Sequence, residues 1–370
     1  MVHQNSMKKV RVLLISNMYP SERHRTYGIF VKNFVDQMEG EGFEIEKVVI
    51  EGAGRGIMEK LRKYWRFIHD VLVHLRGVEF DMIYVHYMGH SLLPFLLPGS
   101  KTKKPLVINA HGGDVIPIKL TEKIVQVLVS SVIRRADLVV VPSRYFRRRT
   151  VERFEINERR ICISPSGGID LGRFRPLIYE RPRGRALTIG YVSRIDKGKG
   201  WDTFLLALRA LVYDEGKDIF GIMVGGGGQE GDLKEMIMQQ GLEGRVHFVG
   251  AIEQNCLSDY FHKMDIFVFP TVLEESLGLV GLEAMACGLP VVGSDIGALA
   301  EYIKGGYNGE LYEPGNDVEL KQVLLKMIAM DDVSRESYRL HALETAKEYD
   351  SKRVSSALGN RLKVICGVGE

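Results

Sequence analysis

The sequence predicts an α/β fold made of two successive domains, each a parallel sheet covered by helices. Three observations lead to this prediction: the chain length, the alternation of short apolar runs with longer helical patterns, and the restart of that alternation after a polar stretch. A chain of 370 residues suits two domains of roughly 150–200 residues each. Runs that are apolar at nearly every position are typical of strands covered on both faces, as in a parallel sheet.

Five apolar runs in each half are interpreted as strands. The first half contains VRVLLIS, EIEKVVI, DMIYVHY, PLVINAHGG and ADLVVVPS, and the second contains LTIGYVSR, DIFGIMVGG, RVHFVG, DIFVFP and LPVVGSD. Between them, residues 172–186 are rich in Arg, Pro and Gly and are predicted to be a linker. The predicted domains are therefore residues 1–171 and 187–345, followed by a helical segment over residues 346–370.

Composition and charge are those of an ordinary globular chain and exclude several classes of protein. The apolar content is 45%, the charged content is 26%, and a net charge of +3 is too small to predict a nucleic-acid partner. Cys162, Cys256, Cys287 and Cys366 are far apart, which fits a reducing compartment and argues against a zinc site. Without a long apolar run or a signal segment, we expect a cytoplasmic protein.

Two acidic residues stand out in an apolar, glycine-rich stretch of the second half. The segment EESLGLVGLEAMACGLPVV places Glu275 and Glu283 eight positions apart, with a helix predicted over roughly residues 278–287. The start of a helix exposes N–H groups that bind anions, and eight helical positions span about 12 Å, the scale of a nucleotide sugar. Alternatively, Glu275 is a partner of the helix dipole and Glu283 is a solvated helix residue.

Cationic and glycine-rich loops follow two other predicted strands of the second half. Arg194 and Lys199, in YVSRIDKGKG, are suited to phosphate oxygens, although solvated loop cations are the alternative. The segment VGGGGQEGDL satisfies G-x-G-x-x-G through Gly226, Gly228 and Gly231. No acidic ribose-binding residue follows about 20 positions on, as the dinucleotide fingerprint requires. A diphosphate site is therefore favoured over NAD binding.

Histidines follow two predicted strands of the first half. In NAHGGDV, His111 precedes two glycines and Asp114, and it is either a structural or a functional residue. His86 and His90, in VHYMGHS, either shape an acceptor pocket or pack. No D-x-D triplet is present to hold a nucleotide-bound metal ion, so we expect metal-independent chemistry.

The segment EKLRKYWRFIHDVLVHLRG, residues 59–77, combines an apolar and a basic helix face. Its apolar set is Leu61, Tyr64, Trp65, Ile68, Val71, Leu72 and Leu75, and its basic set is Lys60, Arg62, Lys63, Arg66, His69 and Arg76. The segment SRYFRRRTVERF adds Arg144, Arg147, Arg148 and Arg149. Such surfaces can bind an anionic leaflet. The alternative is a helix that packs its apolar face on the sheet.

Together the motifs resemble those of glycosyltransferase family four, the glycosyl transferases group 1, which are retaining enzymes of the GT-B fold. The matching segments are YVSRIDKGKG, VGGGGQEGDL, VHFVGAI, ESLGLVGLEAMACGLPVVGSD and YNGELYEPGN, in family order. The resemblance implies two Rossmann-like βαβ domains facing across a cleft, with the C-terminal helix crossing back to the first. It also implies transfer of a sugar from a nucleotide diphosphate donor, with UDP-sugar favoured over GDP-sugar, to a sugar or lipid-linked acceptor in cell-surface polysaccharide or glycolipid assembly.

The resemblance also implies roles for individual residues. Glu275 would hold a donor-sugar hydroxyl, and His111 would lie beside that sugar, close to the reacting centre. The other implied donor contacts are Glu283 to the ribose diol, Arg194 and Lys199 to the diphosphate, backbone at Gly278, Leu279 and Val280 to sugar and phosphate, main chain near Ile252 to the base, and Gly28 to phosphate.

No cofactor and no metal ion is implied. The alternatives are a nucleotide-sugar epimerase on the same architecture and a non-catalytic nucleotide-sugar binder. The expected location is the cytoplasm, at the inner face of the cell membrane if the basic helix contacts lipid.

Overall fold

The computed structural model describes residues 9–54, 56–117, 119–177 and 185–368. The chain divides into two compact units, Met1–Gly168 with Lys352–Glu370, and Ile169–Ser351. Each unit contains a six-stranded sheet in which all paired strands are parallel. The predicted α/β class with two parallel sheets is therefore confirmed.

The sheet of the first unit has the strand order β2-β1-β3-β4-β5-β6. Its strands are β1 Arg11–Tyr19, β2 Glu44–Glu51, β3 Met82–His86, β4 Leu106–Asn109, β5 Leu138–Val141 and β6 Ile161–Ile163. β3 and β5 are buried at every position, as expected of strands covered on both faces.

Helices cover both faces of this sheet. They are α1 Ile29–Gly40, α2 Gly56–Gly77, α3 Leu120–Arg134 and α4 Arg144–Phe154, with 3₁₀ helices at His90–Leu96 and Glu158–Arg160. Successive side chains of β1 alternate between the faces. Leu13 therefore packs in one core cluster with α2, α3 and the first 3₁₀ helix, whereas Leu14 packs in the other with α1.

The second unit has the strand order β12-β11-β10-β7-β8-β9. Its strands are β7 Leu187–Val192, β8 Ile219–Val224, β9 Val246–Gly250, β10 Ile266–Phe269, β11 Val291–Ser294 and β12 Gly309–Tyr312. Its helices are α5 Trp201–Arg209, α6 Glu230–Gln239, α7 Leu257–Phe261, α8 Leu279–Ala286, α9 Leu299–Tyr302, α10 Asp317–Ile328 and α11 Asp332–Lys347, with a π-helical turn at Ala210–Asp214 and a 3₁₀ helix at Gln254–Cys256.

The last helix, α12 Ser351–Ile365, contributes Leu358 and Leu362 to the core cluster of α1 in the first unit. The residues just before it stay with the second unit, where Ala346 is buried in the core. The change of unit thus falls at Ser351 rather than at the predicted boundary of residue 346. Of the predicted linker 172–186, residues 178–184 lie outside the described residues, and Phe174 is buried in the second unit.

Two strands were not predicted, and both are edge strands. β6 and β12 contain three and four residues, and the residues of β6 are at most half-buried. β6 is partly exposed and only three residues long, whereas β12 is mostly buried but has only two apolar residues in GELY. Neither strand therefore gives an apolar run long enough for the sequence pattern to show it.

The apolar face predicted for residues 59–77 packs only in part. Phe67 and Val71 are the buried residues of α2, whereas Leu61 is 60% exposed and Trp65 is 72% exposed. The prediction that the whole face packs on the sheet is therefore wrong for the first half of α2. Within the described ranges, no helix is both long enough and apolar enough to cross a membrane.

Candidate functional site

The predicted donor-binding residues of the second unit lie on loops at one edge of its sheet. Arg194 and Lys199 follow β7, Ile252 follows β9, and Glu275 lies between β10 and α8. Because these strands are parallel, their carboxyl ends lie at the same edge, which is where such folds bind ligands.

The structure joins two residues to which the sequence had assigned separate contacts. Lys199 Nζ donates to Glu275 Oε1 at 2.6 Å, and Thr271 Oγ1 donates to the same oxygen at 3.2 Å. The side chains of Lys199 and Glu275 are only 14% and 18% exposed. A carboxylate with so little water around it needs such a partner, so the pair is neutral as a unit.

Arg194 is held at the surface of the same edge. Its Nη1 lies 2.7 Å from Asp196 Oδ2, and its side chain is 72% exposed. Asp196 Oδ1 also accepts from the Gly228 N–H at 2.9 Å, which joins the loop after β7 to the glycine loop after β8. An exposed ion pair contributes little, so Arg194 can exchange Asp196 for another anion at small cost.

The glycine loop after β8 passes very close to the backbone of the loop after β7. Gly225 has φ +138°, and a Cβ built there would lie 1.8 Å from the carbonyl oxygen of Ser193. Only glycine allows the two loops to approach in this way.

Two glycines shape the start of α8. Gly278 caps the helix with φ 82°, and its carbonyl oxygen accepts from Tyr302 Oη at 3.0 Å. A Cβ at Gly281 would lie 2.3 Å from that hydroxyl oxygen. The missing side chain of Gly281 therefore makes room for the hydroxyl group of Tyr302. Leu279 and Val280 are half-buried in the first turn, where N–H groups lack intrahelical acceptors.

Glu283 is a buried carboxyl group. It is 7% exposed, and its Oε1 accepts from Gln254 Nε2 at 3.2 Å. Burial raises the pKa of Glu283 to about 7, while the Gln254 hydrogen bond and the charge of Arg173 act in the opposite direction. The alternative of a solvated helix residue is therefore wrong. Because Gln254 is two positions after the half-buried Ile252, the structure brings the loop after β9 to Glu283. We call Lys199, Glu275 and Glu283 the carboxylate corner.

In the first unit, His111 lies on a loop organised by Asp114. The buried Asp114 carboxylate accepts from the backbone N–H groups of His111 at 2.9 Å, Gly112 at 2.6 Å and Met88 at 2.9 Å. Three such hydrogen bonds fix the loop after β4 against the loop after β3. Asp114 is therefore a structural partner of His111.

His86 lies directly against His111. The distance between His86 Nδ1 and His111 Nε2 is 2.9 Å, and the two rings are nearly parallel, 22° apart. His86 is 1% exposed, and its Nε2 has no hydrogen-bond partner within the described ranges. Phe30 lies 4.3 Å from the His111 ring and Phe34 lies 4.6 Å from the His86 ring, between centroids. We call Phe30, His86, His111 and Asp114 the histidine corner.

Both imidazoles are neutral at pH 7. Burial lowers the pKa of His111 to about 4 against the opposing charge of Asp114, and it holds the pKa of His86 well below its usual value. A hydrogen bond between two neutral imidazoles requires one N–H donor and one lone pair. The second nitrogen of His111 can then accept or donate according to the tautomer that His86 selects.

Gly28 caps α1 next to the histidine corner. Its φ is 69°, and a Cβ there would lie 2.6 Å from the carbonyl carbon of Met18. Because α1 carries Phe30 and Phe34 onto the two histidines, the backbone at Gly28 and His111 lie in the same part of the first unit.

A group of aromatic and polar residues lies between α2 and α3. Tyr64 and His90 were named separately from the sequence, but neither Asn17 and Tyr87 nor the contacts of the group were predicted. Tyr64 Oη accepts from Asn17 Nδ2 at 3.0 Å, and its ring centroid lies 5.8 Å from that of His90. Tyr87 has a strained φ of 74°, and burial together with the charges of Asp114 and Glu122 raises its pKa. The sequence signal was the pair of ring residues after β3, in YMGH.

A cavity of about 670 Å³ lies elsewhere in the second unit. Its walls include Leu187, Ile266 and Pro290, at the amino ends of strands. It therefore lies at the opposite edge of the sheet from the carboxylate corner. Across the part of the chain that the structure describes, no group of three or more His, Cys, Asp or Glu side chains could hold a metal ion.

Comparisons with known proteins agree with the sequence motifs. The family model Glycosyltransferase Family 4 matches residues 9–173, and the model Glycosyl transferases group 1 matches residues 180–344. The lipopolysaccharide core biosynthesis mannosyltransferase LpsB of Rhizobium meliloti is 34% identical over 47% of this chain and 50% of that protein, so the chain matches half of its length. The phosphatidyl-myo-inositol mannosyltransferase of Mycolicibacterium smegmatis is 28% identical over 79% of this chain and 73% of that protein.

The fold has a solved counterpart as well. The crystal structure of the Anabaena protein HepE in complex with UDP and glucose has a TM-score of 0.73 at 19% identity, over 96% of this chain and 100% of that one. At this identity the likeness concerns the fold, which is the GT-B fold that the motifs predicted. Each unit is thus matched by its own family model, and the chain belongs to glycosyltransferase family 4, the glycosyl transferases group 1.

Proposed function

We propose that this glycosyltransferase moves a sugar from a nucleotide diphosphate donor, with UDP-sugar favoured, to a sugar or lipid-linked acceptor, and that it retains the anomeric configuration. The observation that carries the proposal is the carboxylate corner. The ion pair of Lys199 with Glu275 precedes α8, and the buried carboxyl group of Glu283 lies within that helix, at the ligand-binding edge of the sheet.

Glu283 would hold the ribose. A carboxylate accepts two hydrogen bonds from a vicinal diol, and the bound diol would replace the water that burial has removed. The main chain near Ile252 would contact the base, because the loop after β9 reaches Glu283 through Gln254.

Arg194, Lys199 and the first-turn N–H groups of α8 would bind the diphosphate. The bond between the anomeric carbon and the diphosphate oxygen breaks with its electron pair on the diphosphate, while the acceptor hydroxyl oxygen forms the new bond and its proton passes to an oxygen of the departing diphosphate. Cations at this position stabilise the charge that develops on the leaving group. The proposed reaction needs no metal ion, because these side chains and N–H groups supply the positive field at the diphosphate themselves.

Glu275 would hold a hydroxyl group of the donor sugar, with the hydrogen bond from Lys199 holding the carboxylate in place. His111 would contribute to the same reaction as a neutral hydrogen-bonding group, since its pKa is about 4. The backbone at Gly28 would contact donor phosphate, as the family resemblance implies.

Names of similar proteins support the donor and acceptor classes. HepE was solved with UDP, and the two relatives are named for mannosyl transfer in lipopolysaccharide core synthesis and to phosphatidyl-myo-inositol. We therefore propose a role in cell-surface polysaccharide or glycolipid assembly, in the cytoplasm at the inner face of the membrane.

The test combines binding with product analysis. Thermal-shift measurements with UDP, GDP and nucleotide sugars should give the largest stabilisation with UDP or a UDP-sugar. Nucleoside diphosphate should appear only when an acceptor is present, and NMR of the product should give the donor's anomeric configuration. An altered sugar that stays on the nucleotide would indicate an epimerase, and binding without turnover would indicate a non-catalytic binder. Stabilisation by GDP alone would reverse the choice of base.

A further inference from the structure

The solvent-facing side of α3 is apolar. Leu120, Ile124, Val127 and Leu128 are 72%, 52%, 72% and 53% exposed. Their spacing of four, three and one residues places them on one helix face. The opposite face of α3 already packs in the core through Val129, Val132 and Ile133. The exposed stripe is therefore more apolar surface than the fold of this unit uses.

A second apolar stripe lies on the first half of α2. Ile57, Met58, Leu61 and Trp65 are 76%, 79%, 60% and 72% exposed. Ile57, Leu61 and Trp65 are four residues apart and so follow one another along the helix. We call these four residues and the four of α3 the docking surface.

Both stripes lie at the same edge of the sheet as His111. α2 begins shortly after β2 ends, and α3 begins shortly after β4 ends, so the first halves of both helices are at the carboxyl edge. α2 and α3 also cover the same face, with the 3₁₀ helix that starts at His90 packed against both. The two stripes therefore flank the group formed by Tyr64, Tyr87, His90 and Glu122.

Basic residues accompany the apolar ones. Lys60, Arg62, Arg66, Lys119 and Lys123 are exposed on the same helix turns. The acidic residues of these turns are half-buried and engaged: Glu59 lies 3.6 Å from Lys63, and Glu122 accepts the Lys119 N–H at 3.2 Å. Apolar side chains, an exposed tryptophan and neighbouring cations are the chemistry that recognises an anionic leaflet.

We propose that the docking surface inserts into the headgroup region of an anionic membrane leaflet, and that this brings the group between α2 and α3 to the depth of a lipid-linked acceptor. The proposal rests on the proposed function only for the nature of that acceptor. Each exposed Leu, Ile or Trp that enters the leaflet adds apolar burial, and each nearby Lys or Arg adds attraction that salt weakens.

The arginines of α4, which the sequence suggested as leaflet contacts, are less suited to this role. Arg147 Nη2 lies 2.7 Å from Glu158 Oε2, and Arg149 Nη1 lies 3.8 Å from Glu152 Oε2. Arg148 and Arg149 also lie over the ring of Tyr145. These residues therefore provide a matched basic control at a different place on the first unit.

Co-sedimentation of the full chain with vesicles of phosphatidylcholine, with and without phosphatidylglycerol, tests the proposal. We expect the wild-type protein to bind the anionic vesicles and to be released by salt. The variants Leu61→Ser with Trp65→Ser, and Ile124→Ser with Val127→Ser, should each partition at least about tenfold more weakly. Arg147→Ser with Arg148→Ser should bind as the wild type does. Wild-type protein that stays in the supernatant at low salt would overturn the proposal, as would unchanged binding of both apolar variants.

Tryptophan fluorescence gives a second readout. Of the two tryptophans, Trp201 is 7% exposed and Trp65 is 72% exposed, so vesicles should shift mainly the emission of Trp65 to shorter wavelength. Lipids that carry bromine on their acyl chains should also quench the emission of Trp65. If light scattering instead finds a wild-type dimer that the apolar variants dissociate, without vesicle binding, the surface is an interface between copies and the proposal fails.

Transfer to a soluble acceptor separates this proposal from the proposed function. The apolar variants replace exposed residues, so their unfolding midpoints, UDP affinity and soluble transfer should match the wild type. If no variant and no wild-type sample transfers sugar, the proposed function fails, while vesicle binding still decides the docking surface.

Discussion

The histidine corner and the carboxylate corner lie at the same kind of place, the carboxyl edge of a six-stranded parallel sheet, yet their electrostatics are opposite. In the first unit the buried His86 and the half-buried His111 are neutral and packed by phenylalanines. In the second unit a lysine and a carboxylate form an ion pair, and the buried Glu283 of the helix that follows has a pKa of about 7. The last strand residue His86 and the loops and helices that follow the strands supply this difference.

The difference teaches how each corner responds to change. The histidine corner depends on shape and on one hydrogen bond between neutral groups, so ordinary changes of pH leave it as it is. The carboxylate corner depends on charge balance, so removal of one partner or a change of pH alters it directly.

The largest effect is expected from removing His111. His111→Ala should lower kcat/KM by about a hundredfold or more, because a positioned hydrogen-bonding group at the reacting centre is worth that much. UDP affinity should stay close to the wild-type value, since the proposed donor residues Arg194, Lys199 and Glu283 belong to the other unit. Steady-state kinetics together with calorimetry of UDP binding measure both.

His86 provides the control for that result. His86→Asn keeps a polar group near the position of Nδ1, whereas His86→Phe removes it. If His86 positions His111, the Asn variant should retain much more of kcat than the Phe variant at equal stability. Near-normal turnover of His111→Ala would assign the histidine corner to packing.

The second effect concerns the ion pair of the carboxylate corner. Lys199→Ala should lower kcat by about tenfold to a hundredfold with a smaller change in KM, because the cation acts mainly on the charge of the leaving diphosphate. It should also lower the free energy of unfolding by about 1–3 kcal/mol, between the values for exposed and buried pairs. Kinetics and denaturant unfolding measure the two effects.

A second ion pair of the same unit separates catalysis from stability. Lys326 Nζ lies 2.7 Å from Glu310 Oε1, near the amino end of β12. Lys326→Ala should change stability and leave kcat unchanged. A rise in KM with unchanged kcat for Lys199→Ala would instead make Lys199 a ground-state contact.

The sequence predicted those parts of the fold in which local pattern and burial agree. Most of the ten predicted strands are apolar at more than half of their positions, although β2 and β11 are apolar at only half, and α8 begins one residue after the predicted start because Gly278 precedes it. β6 and β12 were missed because they contain only three and two apolar residues.

The site was predictable by residue type and less so by contact. Glu275 and Glu283 were recognised from their apolar surroundings. The pairing of Glu275 with Lys199 depends on β10 lying beside β7, and that of His86 with His111 on β3 lying beside β4. Such neighbours are set by tertiary structure. The hydrogen bonds of Asp114 to the N–H groups of His111 and Gly112 are local, and the spacing H-G-G-D could have indicated them. The bond from the Met88 N–H joins two loops and could not be predicted in this way.

The third effect is a pH dependence at Glu283. The folded pKa of about 7 lies above the ordinary value of 4.5, so the protonated form favours the fold. The contribution of protonated Glu283 to the free energy of unfolding is complete below about pH 4.5 and is lost as pH rises through 7. Glu283→Gln should therefore be more stable than the wild type above pH 7, by up to about 3 kcal/mol, and equal to it in acid. Denaturant unfolding across pH measures this difference.

UDP affinity should depend on pH in the direction opposite to stability. If the ionised carboxylate accepts the ribose diol, UDP affinity should rise with pH through about 7, and binding at lower pH should release protons. Calorimetry in two buffers with different ionisation enthalpies detects the release, which Glu283→Gln should abolish. Glu310→Gln is the control, because hydrogen bonds from Lys326 and Tyr338 lower the pKa of that carboxyl despite its burial. The same pH dependence in Glu283→Gln would contradict the assignment.

The smallest expected effect is that of metal removal. In the proposed reaction the positive field at the leaving diphosphate comes from Arg194, Lys199 and the start of α8, so EDTA should leave kcat and KM unchanged. Added Mg²⁺ or Mn²⁺ should change the rate only through general screening, which NaCl at equal ionic strength reproduces. Activity lost in EDTA and restored by either metal ion would mean that the carboxylate corner lacks enough positive charge by itself. In that case Lys199→Ala should lose less activity with metal than without it, and this comparison would measure how the two cations share the diphosphate.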